Sequence, residues 1–194
     1  MIRLGLTGSI GMGKSTTARM FHDAGIPVWD ADAAVHRLYA PGGGAVDAVG
    51  EICPDAVTSG GVDRAVLKKW INSDPNRLDR LESVVHPLVA QDRSTFLAEH
   101  KNAPLVVLDI PLLFETGNRD DFDAILVVTI DTATQRDRVL ARPNMSEALM
   151  QQILDRQMPD AEKRALADHI IETRSLEQTR QDVEDLIANL TIPG

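Results

Sequence analysis

Residues 8 to 15 read Gly-Ser-Ile-Gly-Met-Gly-Lys-Ser, directly behind the apolar run Ile2-Arg3-Leu4-Gly5-Leu6. This is the G-x-x-x-x-G-K-[ST] phosphate loop, set between a strand-capable and a helix-capable segment. A triphosphate needs a concave array of backbone N–H donors, and side chains would block its approach, so Gly8, Gly11 and Gly13 keep the loop bare. A helix opening at Lys14 turns its positive end toward the phosphates. Lys14 reaches the β and γ phosphates, and the Ser15 hydroxyl is placed to ligate magnesium. The nucleotide-binding set is therefore Gly8, Gly11, Met12, Gly13, Lys14, Ser15 and Thr16. The bland reading of the same residues is a glycine-rich turn between strand and helix.

Other residues could serve the same chemistry. Asp109 closes the apolar run Leu105-Val106-Val107-Leu108, where a phosphate-loop enzyme keeps a carboxylate for magnesium. Asp30 and Asp32 follow a second apolar run, at the strand end where open α/β sheets bind ligands. One of them caps the next helix and the other is a candidate general base; spacing does not say which. Arg138 and Arg142 are four apart, hence on one helix face, and suited to a transferred phosphoryl group. The competing reading is a solvated face with Asp131 and Asp137 as partners. His86, before Pro87, sits where a kink or helix boundary would expose it. Phe114 and Glu115 follow Asp109 closely enough to line the same crevice.

These side chains need a scaffold. Short apolar runs alternate with helical patterns, which predicts a parallel sheet with crossover helices. Strands are expected at 2–7, 26–29, 104–109, 124–129 and 168–172, and helices at 14–24, 31–39, 132–141 and 176–189. Runs apolar at every position, such as Ile125-Leu126-Val127-Val128, belong to strands covered on both faces. The gap from Trp29 to Pro104 is too long for a simple crossover. With its glycine loops and a helical stretch at 75–99, it predicts a mostly helical subdomain over about 40–100. A second excursion, 142–166, bracketed by Pro143 and Pro159, predicts one short helix in a hinged lid.

Composition bounds the rest. The chain has 194 residues, 43% of them hydrophobic and 25% charged, which suits one α/β domain with a real core. A net charge of −9 argues against general nucleic-acid binding. Cys53 is the one cysteine, excluding an intrachain disulfide. No apolar stretch approaches the ~18 residues of a membrane span. The first strand begins at Ile2, leaving no room for a signal peptide, so a cytoplasmic protein is expected.

Taken together, these residues resemble the dephospho-CoA kinase family. The likeness runs through Leu6-Thr7-Gly8 to Lys14-Ser15, Asp30-Ala31-Asp32, His86-Pro87 and Leu108-Asp109-Ile110-Pro111-Leu112-Leu113-Phe114-Glu115. It continues through Gln135, Arg138, Arg142, Arg156-Gln157 and Ala167-Asp168. The resemblance implies a P-loop kinase fold: a five-stranded parallel sheet with helices on both faces, a helical coenzyme-binding subdomain and a small lid. It implies core segments 1–39, 101–141 and 167–194, and transfer of the ATP γ-phosphoryl group to the ribose 3′-hydroxyl of dephospho-coenzyme A. It assigns Asp32 as base, with Lys14, Arg138 and Arg142 as the other catalytic residues. Thr7, Asp32, His86, Leu112, Phe114 and Glu115 border the acceptor, and Ser15 and Asp109 serve magnesium. ATP and dephospho-coenzyme A are the implied partners of a monomer or weak homo-oligomer, with no nucleic acid and no membrane. The chain departs from the family at Glu172-Thr173-Arg174, where an Asn is usual, and in its few lid arginines.

Two rival functions fit the residues less fully. One is a kinase of the same architecture acting on another nucleotide or a small alcohol. The other is a nucleotide-dependent switch, which attacks with water and has no need for the acidic pair Asp30 and Asp32.

Overall fold

The strands form around the short apolar runs of the sequence. In this computed structural model, which describes residues 1–117 and 119–191, they are β1 (Ile2–Thr7), β2 (Val28–Asp30), β5 (Leu105–Asp109), β6 (Ala124–Thr129) and β7 (His169–Glu172). Together they make one five-stranded parallel sheet in the order β2-β5-β1-β6-β7. The end of the expected core segment, 192–194, lies outside the described residues. β5 and β6 are buried at every position, as their unbroken apolar runs require.

Successive side chains of β1 part to opposite faces. Leu4 and Leu6 enter a core with Met20, Phe21, Val183 and Leu186 from helices α1 (Lys14–Asp23) and α10 (Leu176–Thr191). A Cβ on Gly5, between them, would strike Leu113 and Phe122 instead, so the other face is also covered. Leu113 opens the short helix α6 (Leu113–Thr116). The register pairs Leu6 with both Asp109 and Leu126, which brings Asp109 level with the chain just before the phosphate loop. β2 starts later than the apolar run suggests. The Ile26 N–H closes the end of α1 by donating to Phe21 O, and Pro27 contributes only its carbonyl, to Val107 N at 2.9 Å.

The chain divides into two compact units, Met1–Trp29 with His100–Gly194, and Asp30–Glu99. The second contains α2 (Ala31–Tyr39), α3 (Val46–Ile52), α4 (Arg64–Asn72) and α5 (Asn76–Glu99). It begins at Asp30 rather than near residue 40 because α2 packs on α5. Tyr39, Val49, Leu67, Leu81 and Val85 form its core. The loop Thr58-Ser59-Gly60-Gly61 closes a small antiparallel hairpin, β3 (Val57–Thr58) with β4 (Gly61–Val62). α5 runs through Pro87 without the boundary that His86-Pro87 suggested, leaving His86 exposed on its surface.

Back in the first unit, α7 (Thr132–Leu140) follows β6. The segment expected to hold one short helix holds two, α8 (Glu147–Leu154) and α9 (Asp160–Leu166). Ser146 caps the first, accepting from Leu149 N, and Pro159 sets the entry to the second. Among the described residues no helix is long and apolar enough to cross a membrane.

Candidate active site

The phosphate loop joins β1 to α1. Gly11 and Gly13 hold φ of 81° and 91°, and Gly13 is the left-handed residue from which α1 starts. The glycines are required by the protein as much as by a ligand. A Cβ at Gly8 would come within 2.6 Å of Val128 Cγ2, one at Gly11 within 2.5 Å of Val139 Cγ2, and one at Gly13 within 2.9 Å of Thr173. The loop is bare because it is wedged between β6, α7 and the chain after β7.

Lys14 folds toward the sheet. Its Nζ lies 2.5 Å from Asp109 Oδ1, with the lysine side chain 15% exposed and the aspartate 3%. The register of β1 with β5 creates this pair. The hydroxyl of Ser15, exposed at the start of α1, and the Asp109 carboxylate are hard oxygen donors of the kind magnesium takes. No group of three or more acidic, histidine or cysteine side chains gathers into a metal cage among the described residues.

A cavity of about 460 Å³ opens beside the loop, walled by Gly11, Gly13, Thr16, Arg138, Arg142 and Thr173, among others. Arg138 does not pair with Asp131 or Asp137 in the way the competing reading suggested. Its Nη1 donates to Thr173 Oγ1 at 2.8 Å and its Nη2 to Thr173 O at 2.6 Å. Asp131 is occupied in capping α7, accepting from Thr134 N. The Thr173 hydroxyl in turn donates to Met12 O at 2.9 Å, tying the chain after β7 to the loop. Arg142 is exposed on the cavity wall.

The residues after Asp109 divide by environment. Thr7 is fully buried and donates its hydroxyl to Pro111 O at 3.1 Å, so it holds two loops together. Leu112 is exposed and Phe114 half-buried. Glu115 accepts from Met158 N at 2.7 Å and lies 2.8 Å from Nζ of Lys163, a lysine with no exposed surface. Burial pushes the Glu115 carboxyl up, but the Lys163 ammonium and the Met158 N–H outweigh it and hold the group below the ordinary carboxylate range.

Asp32 and His86 belong to the other unit. There the structure shows which of the two aspartates caps the helix. Asp30 is the N-cap of α2, accepting from Ala33 N at 2.9 Å, which leaves Asp32 exposed in the first turn. Sequence reasoning missed the roles of Gln135, Gln157 and Lys163. No local pattern marks them, because their partners are distant backbone groups or a distant carboxylate.

A family model described as dephospho-CoA kinase matches residues 2–178. Among curated proteins, the dephospho-CoA kinase of Cereibacter sphaeroides is 58% identical over 188 residues, covering 97% of this chain and 95% of that protein. A crystal structure from Thermus thermophilus superposes with a TM-score of 0.85 at 38% identity, covering 98% of each chain. The dephospho-CoA kinase of Campylobacter jejuni shares the fold, with a TM-score of 0.67 at 22% identity over 97% of each chain.

Proposed function

The chain belongs to the dephospho-CoA kinase family, and on that premise we propose that it transfers the γ-phosphoryl group of ATP to the ribose 3′-hydroxyl of dephospho-coenzyme A. The product is coenzyme A, and the reaction closes its synthesis. The observation that carries the proposal is Lys14 held at Asp109 beside a bare loop of amides, at the carboxyl end of a parallel sheet.

The loop amides and Lys14 bind and neutralise the triphosphate, fixing its terminal phosphorus for in-line attack. Ser15 and Asp109 would hold magnesium, which when bound supplies further neutralisation of phosphate charge. Asp32 orients the acceptor hydroxyl and takes its proton as the oxygen attacks. Arg138 and Arg142, on the cavity wall, stabilise the charge that spreads over the transferred group. Within the segment 142–166 expected as a lid, the part ahead of Gln157 covers the site and excludes water, since a kinase left open hydrolyses ATP. His86, Leu112 and Phe114 border the acceptor, and the reaction takes place in the cytoplasm. The match over residues 2–178 supports dephospho-coenzyme A over another nucleotide or a small alcohol as acceptor.

A coupled ADP-release assay tests this directly. Release is expected to depend on dephospho-coenzyme A. Faster release with a nucleoside monophosphate would favour the alternative acceptor, and release with no acceptor requirement would favour a switch.

A further inference from the structure

The phosphate loop is gripped at its tip from two sides. The Ile10 N–H donates to Gln157 Oε1 at 3.0 Å, and Gln135 Nε2 donates to Ile10 O at 2.8 Å. Gln135 sits on α7 and is 5% exposed; Gln157 lies between α8 and α9. Both bonds set peptide planes. In a trans peptide the C=O and the following N–H point in opposite directions. With Ile10 O drawn to Gln135, the Gly11 N–H must turn away from Gln135, on a residue that lines the cavity beside the loop. With the Ile10 N–H drawn to Gln157, the Ser9 carbonyl turns the other way, where it accepts Met12 N at 3.2 Å.

Gln157 is itself anchored. The next residue donates its N–H to Glu115, whose carboxylate is paired with buried Lys163 from α9. Asp160, at the start of α9, accepts from Thr129 Oγ1 at the end of β6, at 2.8 Å. The stretch from Gln157 to Lys163 is therefore fastened to β6, to the chain after β5 and to the loop, so Gln157 meets Ile10 from a fixed base.

We propose that Gln135 and Gln157 are positioning residues that hold the phosphate loop in its phosphate-receiving shape before nucleotide arrives, with Glu115 and Lys163 keeping Gln157 in place. This rests on the reading of the loop as a triphosphate site. The two glutamines act with opposite polarity: Gln135 must donate and Gln157 must accept. Glutamate at 157 still accepts from the Ile10 N–H, whereas glutamate at 135 loses the donor and faces the Ile10 carbonyl with a negative charge.

The test is ATP affinity by titration calorimetry without acceptor, on the full chain and on Gln135→Glu, Gln135→Met, Gln157→Glu and Gln157→Met, with melting temperatures alongside. Gln135→Met, Gln135→Glu and Gln157→Met are expected to weaken ATP roughly five- to tenfold or more. Gln157→Glu is expected to stay within about threefold of the parent. The KM for the acceptor is expected to change little, and the two methionine variants to lose no more stability than the one lost hydrogen bond accounts for. Equal losses in the two glutamate variants, unchanged affinity in the two methionine variants, or losses that track falling melting temperature would each overturn the proposal. Should Gln135→Glu not fold, the contrast between Gln157→Met and Gln157→Glu decides alone. A parent chain that binds no ATP strikes the nucleotide reading itself, and this inference with it.

Discussion

The ammonium of Lys14 and the carboxylate of Asp109 are each other's counter-charge, 2.5 Å apart and largely shielded from water. Removing Lys14 takes the neighbouring cation away from a carboxylate that is only 3% exposed. Lys14→Ala is therefore expected to cost stability on the order of 2–3 kcal/mol, somewhat less than a fully buried pair because the lysine keeps some solvent contact. The double variant Lys14→Met with Asp109→Asn should recover most of that loss while ATP binding stays impaired. Urea unfolding and nucleotide titration of the two variants and the parent separate the two effects; a double variant as unstable as the single would refute the pairing argument.

The two aspartates after β2 make opposite predictions. Asp30 caps α2 through the Ala33 N–H, so Asp30→Ala should cost about 1 kcal/mol of stability and leave turnover largely intact. Asp32 has no such capping bond, and as the proposed base its replacement by Asn should cut kcat by roughly a hundredfold or more with ATP affinity nearly unchanged. Steady-state kinetics with thermal unfolding on both variants gives the answer, and an active Asp32→Asn enzyme rules out the base assignment.

What could be read in advance follows from where the determinants lie along the chain. The sheet was legible because strands buried on both faces are apolar at consecutive positions, as in Ile125-Leu126-Val127-Val128. The phosphate loop was legible because its function depends on residue types at fixed local spacing. α9 was not, since its short sequence Asp-Ala-Glu-Lys-Arg-Ala-Leu buries a lysine rather than an apolar stripe. β3 and β4 were missed for the opposite reason: two-residue strands joined at Ser59-Gly60 carry turn chemistry and almost no strand pattern. Gln135 and Gln157 bond to Ile10 from 125 and 147 residues away, and no local spacing encodes such a contact.

Thr173 joins Arg138 to the loop, accepting from the guanidinium and donating to Met12 O. Thr173→Val preserves the shape and removes the hydroxyl. It leaves the buried Met12 carbonyl without that donor, at an expected cost of about 1–2 kcal/mol. It also loosens Arg138 from the cavity wall, so the KM for ATP should rise more than the KM for the acceptor. Kinetics with each substrate varied in turn checks this, and equal changes in both KM values would argue against a nucleotide-side role.

Glu115 gives the chain an acid-sensitive joint. Its folded pKa is lowered from an ordinary value of 4.5, so its stabilising contribution is complete above that value and is lost as pH falls through the folded one. Glu115→Gln keeps an acceptor for the Met158 N–H but cannot balance the Lys163 charge, so the variant should be less stable at neutral pH. Its stability should also fall less steeply with acid than the parent's, and the two curves should draw together as the pH drops from neutral to below 4.5. Asp123 and Asp131, whose carboxyl groups are lowered too, are unchanged in the variant, so the difference between the curves isolates Glu115. Urea unfolding across that pH range makes the comparison. Parallel curves would mean that Glu115 titrates alike in the folded and unfolded chains, and that the Lys163 contact does not hold its charge.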